Sequence, residues 1–228
     1  MLILREPHRR LEAAHGSEGW RELLADPPRH WRNDPSVERL ADAWAASAPK
    51  PPAEVRAAWA GTPFERFEPT IAIPAYDVEL PGGWHPVHND LLIAGTLGDE
   101  LGIVMAQGKV DGSMGPHIDE VLHNPLPGKL VRIGYLKNVL ELPDPLPEST
   151  CYNLLDRTAS PLIEAIRLEA RYAAMIVMAF GSLDPCLEEY RQFAGLFGAS
   201  GDPDRLEHLP PHENPELWIG WIRVPGTD

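Results

Sequence analysis

Lysine is rare in this chain. Four residues, Lys50, Lys109, Lys129 and Lys137, stand against sixteen arginines, so each lysine marks a place where a generic positive charge was not the whole requirement. Cysteine is rarer still. Cys151 and Cys186 lie far apart without CxxC spacing, which excludes a zinc knuckle and a disulfide framework and leaves two small reduced core residues. No apolar run approaches the roughly 20 residues that span a bilayer, and the start MLILREPHRRLEAAHG meets charge almost at once, so the chain reads as cytoplasmic. There is no P-loop and no G-x-G-x-x-G fingerprint, and Ser113 in GSMG is not a G-x-S-x-G elbow. Positive charge is outnumbered overall. The formal net charge of −14 repels polyanions, so any nucleic acid must meet a local basic surface or a metal-screened site, which argues against a nonspecific DNA binder.

Proline is plentiful, with 25 residues, and makes the chain loop-rich. A length of 228 residues suits one domain, with a helical segment over 1–60 and a mixed-sheet core over 61–228. WRELLAD reads as a helix. In NDPSVERLADAWAAS, Asp34 suits an N-cap and Pro35 the first helical position, with Val37, Leu40, Ala41 and Trp44 on one apolar face. AEVRAAWAG adds a turn or two. EPTIAIPAYDVEL, HNDLLIAG and LGIVMAQGKV are β-like, and the last two form an antiparallel hairpin across TLGDE. In KLVRIGYLKNVLEL a helical stripe runs through Leu130, Ile133, Leu136 and Leu140, with Lys129, Arg132 and Lys137 supplying charge that bears on any acidic ligand. Thr158 or Ser160 caps a further helix that Pro161 begins. AAMIVMAF is a fully buried strand, LEEYRQFAGLFG an amphipathic helix, and LWIGWIRV a late strand that places Trp218 and Trp221 on opposite faces. This order gives an α/β fold with a mixed sheet flanked by helices.

The chemistry concentrates at one strand end. In GIVMAQGKV, residues Ile103, Met105, Gln107 and Lys109 share a face, and antiparallel pairing brings Asp90 from HNDLLIAG toward Gln107 and Lys109. A carboxylate, a second oxygen and a lysine on one side of a sheet suit metal-assisted phosphodiester hydrolysis: the cation polarises the phosphate and the lysine stabilises developing charge. ND at 89 and 90 followed by QGK at 107 to 109 resembles the PD-(D/E)XK signature of type II restriction enzymes and archaeal Holliday-junction resolvases. The order helix, three-stranded meander, helix, buried strand is similar to that superfamily's core. HWRNDPSVERLADAW, QGKVDGSMG, and YNLLDRTASPLIEA followed by AAMIVMAF resemble an uncharacterised bacterial family placed near those nucleases.

The resemblance implies a restriction-endonuclease-like core and DNA hydrolysis with Mg²⁺ or Mn²⁺, with DNA as partner and a homodimer as one open assembly. Asp90 would be the metal ligand, Gln107 a weak second ligand or water-positioning group, and Lys109 the electrostatic catalyst. The Gly108 carbonyl and Glu38 from the first long helix would complete the ligand set. Two residues depart from the pattern: Asn89 replaces the proline, and Gln107 replaces the usual Asp or Glu, which removes a negative charge from the site. Asp111 lies on the Lys109 face but about 13 Å from Gln107 at about 3.3 Å per residue. The departure at Gln107 leaves a second expectation open, a catalytically degenerate relative that keeps the fold and binds a partner without cutting.

His85, His88 and Asp90 in WHPVHND offer a third, a hydrolase with imidazole ligands suited to zinc or manganese. His117 and His123 lack HExxH spacing and suit a short helix and its end. Arg157 could contact a phosphate or pair with Asp156 or Glu164.

Overall fold

The computed structural model describes residues 2–4, 10–11, 20, 35–83, 85–181 and 184–225. The expected Asp34 cap and all of WRELLAD except Trp20 lie outside these residues. Helix α1, Pro35–Ser47, buries Val37, Leu40, Ala41 and Trp44 as their spacing requires, and leaves Glu38 exposed in its first turn. Helix α2, Ala53–Ala58, follows a Pro-Pro connector. A 3₁₀ turn, Pro63–Arg66, capped by the Thr62 hydroxyl, leads into the sheet.

The strands are β1 Leu2–Leu4, β2 Arg10–Leu11, β3 Phe67–Val78, β4 Val87–Leu97, β5 Glu100–Lys109, β6 Tyr172–Phe180, β7 Arg205–Glu213 and β8 Glu216–Val224. They form one sheet in the order β2-β1-β3-β4-β5-β6-β8-β7. The meander β3–β4–β5 is antiparallel, β5, β6 and β8 run parallel, and β7 returns antiparallel on the edge. Parallel neighbours require crossovers. Helices α3, Ile118–His123, α4, Pro127–Val139, and α5, Tyr152–Arg167, carry the chain from β5 to β6, and α6, Asp184–Gly195, leaves β6.

Each face of the sheet has its own core. Met105, Met175, Val177 and Trp221 pack with Leu136, Leu155, Leu162 and Tyr190 on one side, and Val104, Ile176 and Ile222 pack with Trp44, Val55 and Phe64 on the other. The result is a three-layer α/β fold. Trp221 and Trp218 do point to opposite faces: the first lies 5.6 Å from the Tyr190 ring, the second 6.2 Å from Phe64. No helix among the described residues is long and apolar enough to cross a membrane.

Four sequence expectations change. The N-terminal segment supplies strands as well as helices, β1 pairing parallel to β3. β7 is a strand although it carries Pro210 and Pro211, because an edge position and a register break after His208 tolerate missing N–H donors. Helix α5 starts at Tyr152, six or more residues before the expected cap, and holds Pro161 in its interior. Burial of Leu154, Leu155, Ala159 and Leu162 against the sheet outweighs the bond that Pro161 cannot donate, and the Ser160 hydroxyl donates to the Asp156 carbonyl within the helix. In α4, Ile133, Leu136 and Leu140 are buried, but Leu130 is 49 % exposed and Arg132 is inside at 8 %.

Helix α1 contacts β5 backbone to backbone. A Cβ on Gly108 would sit 2.3 Å from the Ser36 carbonyl oxygen, and the Ser36 hydroxyl accepts the Val110 N–H. Gly108→Ala is therefore expected to lower unfolding free energy by about 1–3 kcal/mol through overpacking, measured by urea denaturation.

Candidate functional site

At the strand end, the alternation that places Ile103 and Met105 in the α4–α6 core puts Gln107 there too, and its side chain is fully buried. β4 does not keep step. Val87 belongs to the α4–α6 core, yet Leu91, four residues on, belongs to the α1–α2 core, so the strand exchanges faces around Asp90. β3 does the same alongside it: Ile73 and Tyr76, three apart, pack on one face with Ala75 at φ 53° between them. Asn89 thus takes the place opposite Gln107 that alternation assigned to Asp90. Gln107 Nε2 donates to Asn89 Oδ1 at 3.0 Å, and Asn89 Nδ2 donates to the carbonyls of Val87 and Tyr76. Asp90 Oδ2 accepts the backbone N–H of Gly108 at 2.8 Å, a side chain standing in for a ladder carbonyl. Lys109 Nζ donates to the Ser113 carbonyl at 2.6 Å and fastens the loop after β5. The Cys186 thiol, bonded to the Gly112 carbonyl, and Glu189, which accepts the Met114 N–H, fasten the same loop from α6.

The donor set as arranged does not fit a hard dication. Such an ion takes about six oxygens with carboxylate among them. In the Gln107 pocket the oxygen left without a partner is the neutral Oε1, sealed from solvent, and Glu38 is on the exposed side of α1. The His85, His88 and Asp90 trio does not gather as a ligand group among the described residues: His88 pairs with Asp77 at 2.9 Å and Asp90 accepts the Gly108 N–H. His117, Asp119 and Glu120 do gather within 4.8 Å. They are the start of α3 and act as its caps, with the Glu120 carboxylate accepting the His117 N–H and Asp119 accepting the Glu120 N–H.

A second cluster lies where the loop before β4 meets α4 and the first turns of α5. Arg132 donates to the carbonyls of Leu80 and His85, at 3.3 and 2.8 Å, and so ties that loop down. Gly82, at φ 70°, and Gly83 lie so close that a Cβ on the first would be 2.3 Å from the Gly128 carbonyl and on the second 2.9 Å from the guanidinium. Lys129 Nζ stands 3.7 Å above the Tyr152 ring. With Arg157 these cations enclose Asp156 around a polar recess of about 200 Å³. Burial pushes the Asp156 carboxyl up to about 7, against the pull of Arg157, Lys129 and Arg132, and raises the Tyr152 hydroxyl to about 12. Three buried polar atoms here, Arg132 Nε, Tyr152 Oη and Asp156 Oδ1, make no hydrogen bond of good geometry, although Arg132 lies close enough to the Tyr152 hydroxyl to hold it partly in place.

A family described as a domain of unknown function (DUF6946) matches residues 13–225. The chain belongs to that family. No curated protein and no solved structure matches it. Within this DUF6946 domain the sequence pointed to the charges of Lys129, Arg132 and Arg157, and Lys137 is set apart from them by its pair with Asp144 at 2.6 Å. Tyr152 escaped notice and Asp156 was read only as a pairing partner of Arg157, because the helix was expected to begin after them; a start at Tyr152 would have put Tyr152, Asp156 and Arg157 at neighbouring helical positions.

Because the folded value of Asp156 lies above its ordinary 3.8, the folded state holds that proton more tightly than the unfolded chain. The corresponding stability is fully present below about pH 4 and is lost as pH rises toward 7. Asp156→Asn, which fixes a neutral group of the same shape, is expected to remove that slope. Urea unfolding at about pH 4 and about pH 8 checks it, the variant exceeding the wild type at the higher pH by on the order of 3 kcal/mol.

Proposed function

We propose that this domain is an anion-binding protein on a restriction-endonuclease-like fold that has given up phosphodiester hydrolysis. The observation that carries it is the recess around Asp156. In a chain of net charge −14, Lys129, Arg132 and Arg157 converge there on a single carboxylate, Asp156. A cationic concavity is what an anion needs, and in a partly desolvated site each charge-assisted bond counts for more than at the surface. The start of α5 adds its N-terminal dipole in the same direction.

The nuclease-like fold is supported by the succession of α1, the β3–β4–β5 meander, α5 and the parallel strand β6, which is similar to the order in the PD-(D/E)XK superfamily. Loss of hydrolysis is supported by the use already made of each residue at the strand end. Gln107 is committed to Asn89, Asp90 to the Gly108 N–H and Lys109 to the Ser113 carbonyl.

Calorimetric titration with inorganic phosphate, alongside incubation with plasmid DNA in Mg²⁺ or Mn²⁺, tests the reading. The wild type is expected to bind phosphate, with Lys129→Gln and Arg157→Gln each weakening it about tenfold, the equivalent of about 1.4 kcal/mol, and plasmid is expected to stay intact. Plasmid cleavage that disappears in Lys109→Ala, or phosphate affinity unchanged by both substitutions, would overturn it.

A further inference from the structure

The polar recess adjoins a second cleft of about 470 Å³, with which it shares Pro86, Lys129 and Arg132. The character of the wall changes at that boundary. Beyond Lys129 the second cleft is lined mainly by Pro116, Val121, Pro125 and Leu126 with Gly83 and Gly128, and His85 and Asn124 are its further polar residues. Three prolines and two glycines make a surface of backbone and rings that loses few rotamers when covered, so the cleft is preformed. Leu126, at the N-terminus of α4, is 66 % exposed and forms its outer lip. Leaving such a lip in water forgoes apolar burial of about 25 cal/mol per Å² that an occupant would recover.

The two halves make opposite demands, and one molecule can meet both. We infer that the two adjoining clefts together bind a small amphipathic anion, with a carboxylate or phosphate-ester head among Lys129, Arg132 and Arg157 and an apolar body along Pro86, Val121 and Leu126. The inference rests on the recess being an anion site and specifies what kind of anion it takes. The cleft volume lies within the range of small-molecule sites, which suits a short acyl chain or a single ring and not a polymer. The negative charge of the whole chain acts in the same sense, since a compact ligand with one or two charges enters a local cationic recess where a polyanion is repelled along its length.

The experiment compares four probes by calorimetry on the full chain: octanoate, octyl phosphate, octan-1-ol and inorganic phosphate. Octanoate or octyl phosphate is expected to bind at least tenfold more tightly than either octan-1-ol or inorganic phosphate, and the better of the two identifies the head group. Leu126→Asp changes an exposed residue and is expected to abolish the preference for the octyl probes while inorganic phosphate still binds. Lys129→Gln is expected to weaken both charged octyl probes and leave octan-1-ol unchanged. Phosphate binding with no octyl preference, or an octyl preference indifferent to Leu126→Asp, overturns the amphipathic ligand and leaves the anion site standing. Failure of all four probes to bind overturns both.

Discussion

The fold depends on covering two strands. β5 and β6 lie side by side in the middle of the sheet, and Val104, Met105, Met175 and Ile176 are completely buried whichever face they point to. Apolar strands of this kind are stable only between two layers, so α1 and α2 close one face and α4, α5 and α6 the other. The requirement for a parallel neighbour at β6 then forces a long crossover out of β5, and that crossover supplies α3, α4 and the start of α5. The candidate binding cleft is a product of this geometry. It opens beyond the carboxyl end of β5 and the entry to β4, where ligands of α/β sheets commonly sit.

Arg132 links the architecture to the site. Its side chain is nearly sealed from solvent, holds the Leu80 and His85 carbonyls, and lies against the Tyr152 hydroxyl. A buried charge so placed is costly unless it is matched, and its neighbours Lys129 and Arg157 add to the excess of positive charge. Asp156 offsets part of that excess, but burial holds its proton affinity near neutrality, so the compensation is incomplete over the ordinary pH range. The glycine pair Gly82–Gly83 lets the loop approach α4 closely enough for this contact to form.

The strand end shows how a local irregularity redirects chemistry. Alternation along an ideal β4 sets Asp90 across from Gln107, and the expectation of a nuclease-like trio follows from that alone. The paired change of face at Ala75 and Asp90 inserts Asn89 in its place, so that an amide pair lies in the core and the carboxylate completes the backbone ladder. Such a change of register is invisible in residue types. Its trace in the sequence is faint, a proline at 74 and an alanine at 75 within a strand.

Apolar periodicity was enough to establish α1, the meander, β6, α6 and β8, and with them the α/β class, because burial of side chains at a fixed period is a local property of the chain. The scarcity of lysine directed attention to Lys109 and Lys129, and the charge on α4 to an acidic ligand. The sequence could not show that Arg132 would be buried and Leu130 exposed, that α5 would run through Pro161, or that β7 would form from a Pro-Pro segment at an edge. Those outcomes depend on which neighbours each residue meets, and some of these lie far away in sequence, as in the contacts of Arg132 with Leu80, 52 positions away, and of Tyr76 with Glu164, 88 positions away. Tertiary structure alone decided that three cations and Asp156 share one recess, because only the packing of α4 and α5 against the loop before β4 brings them together.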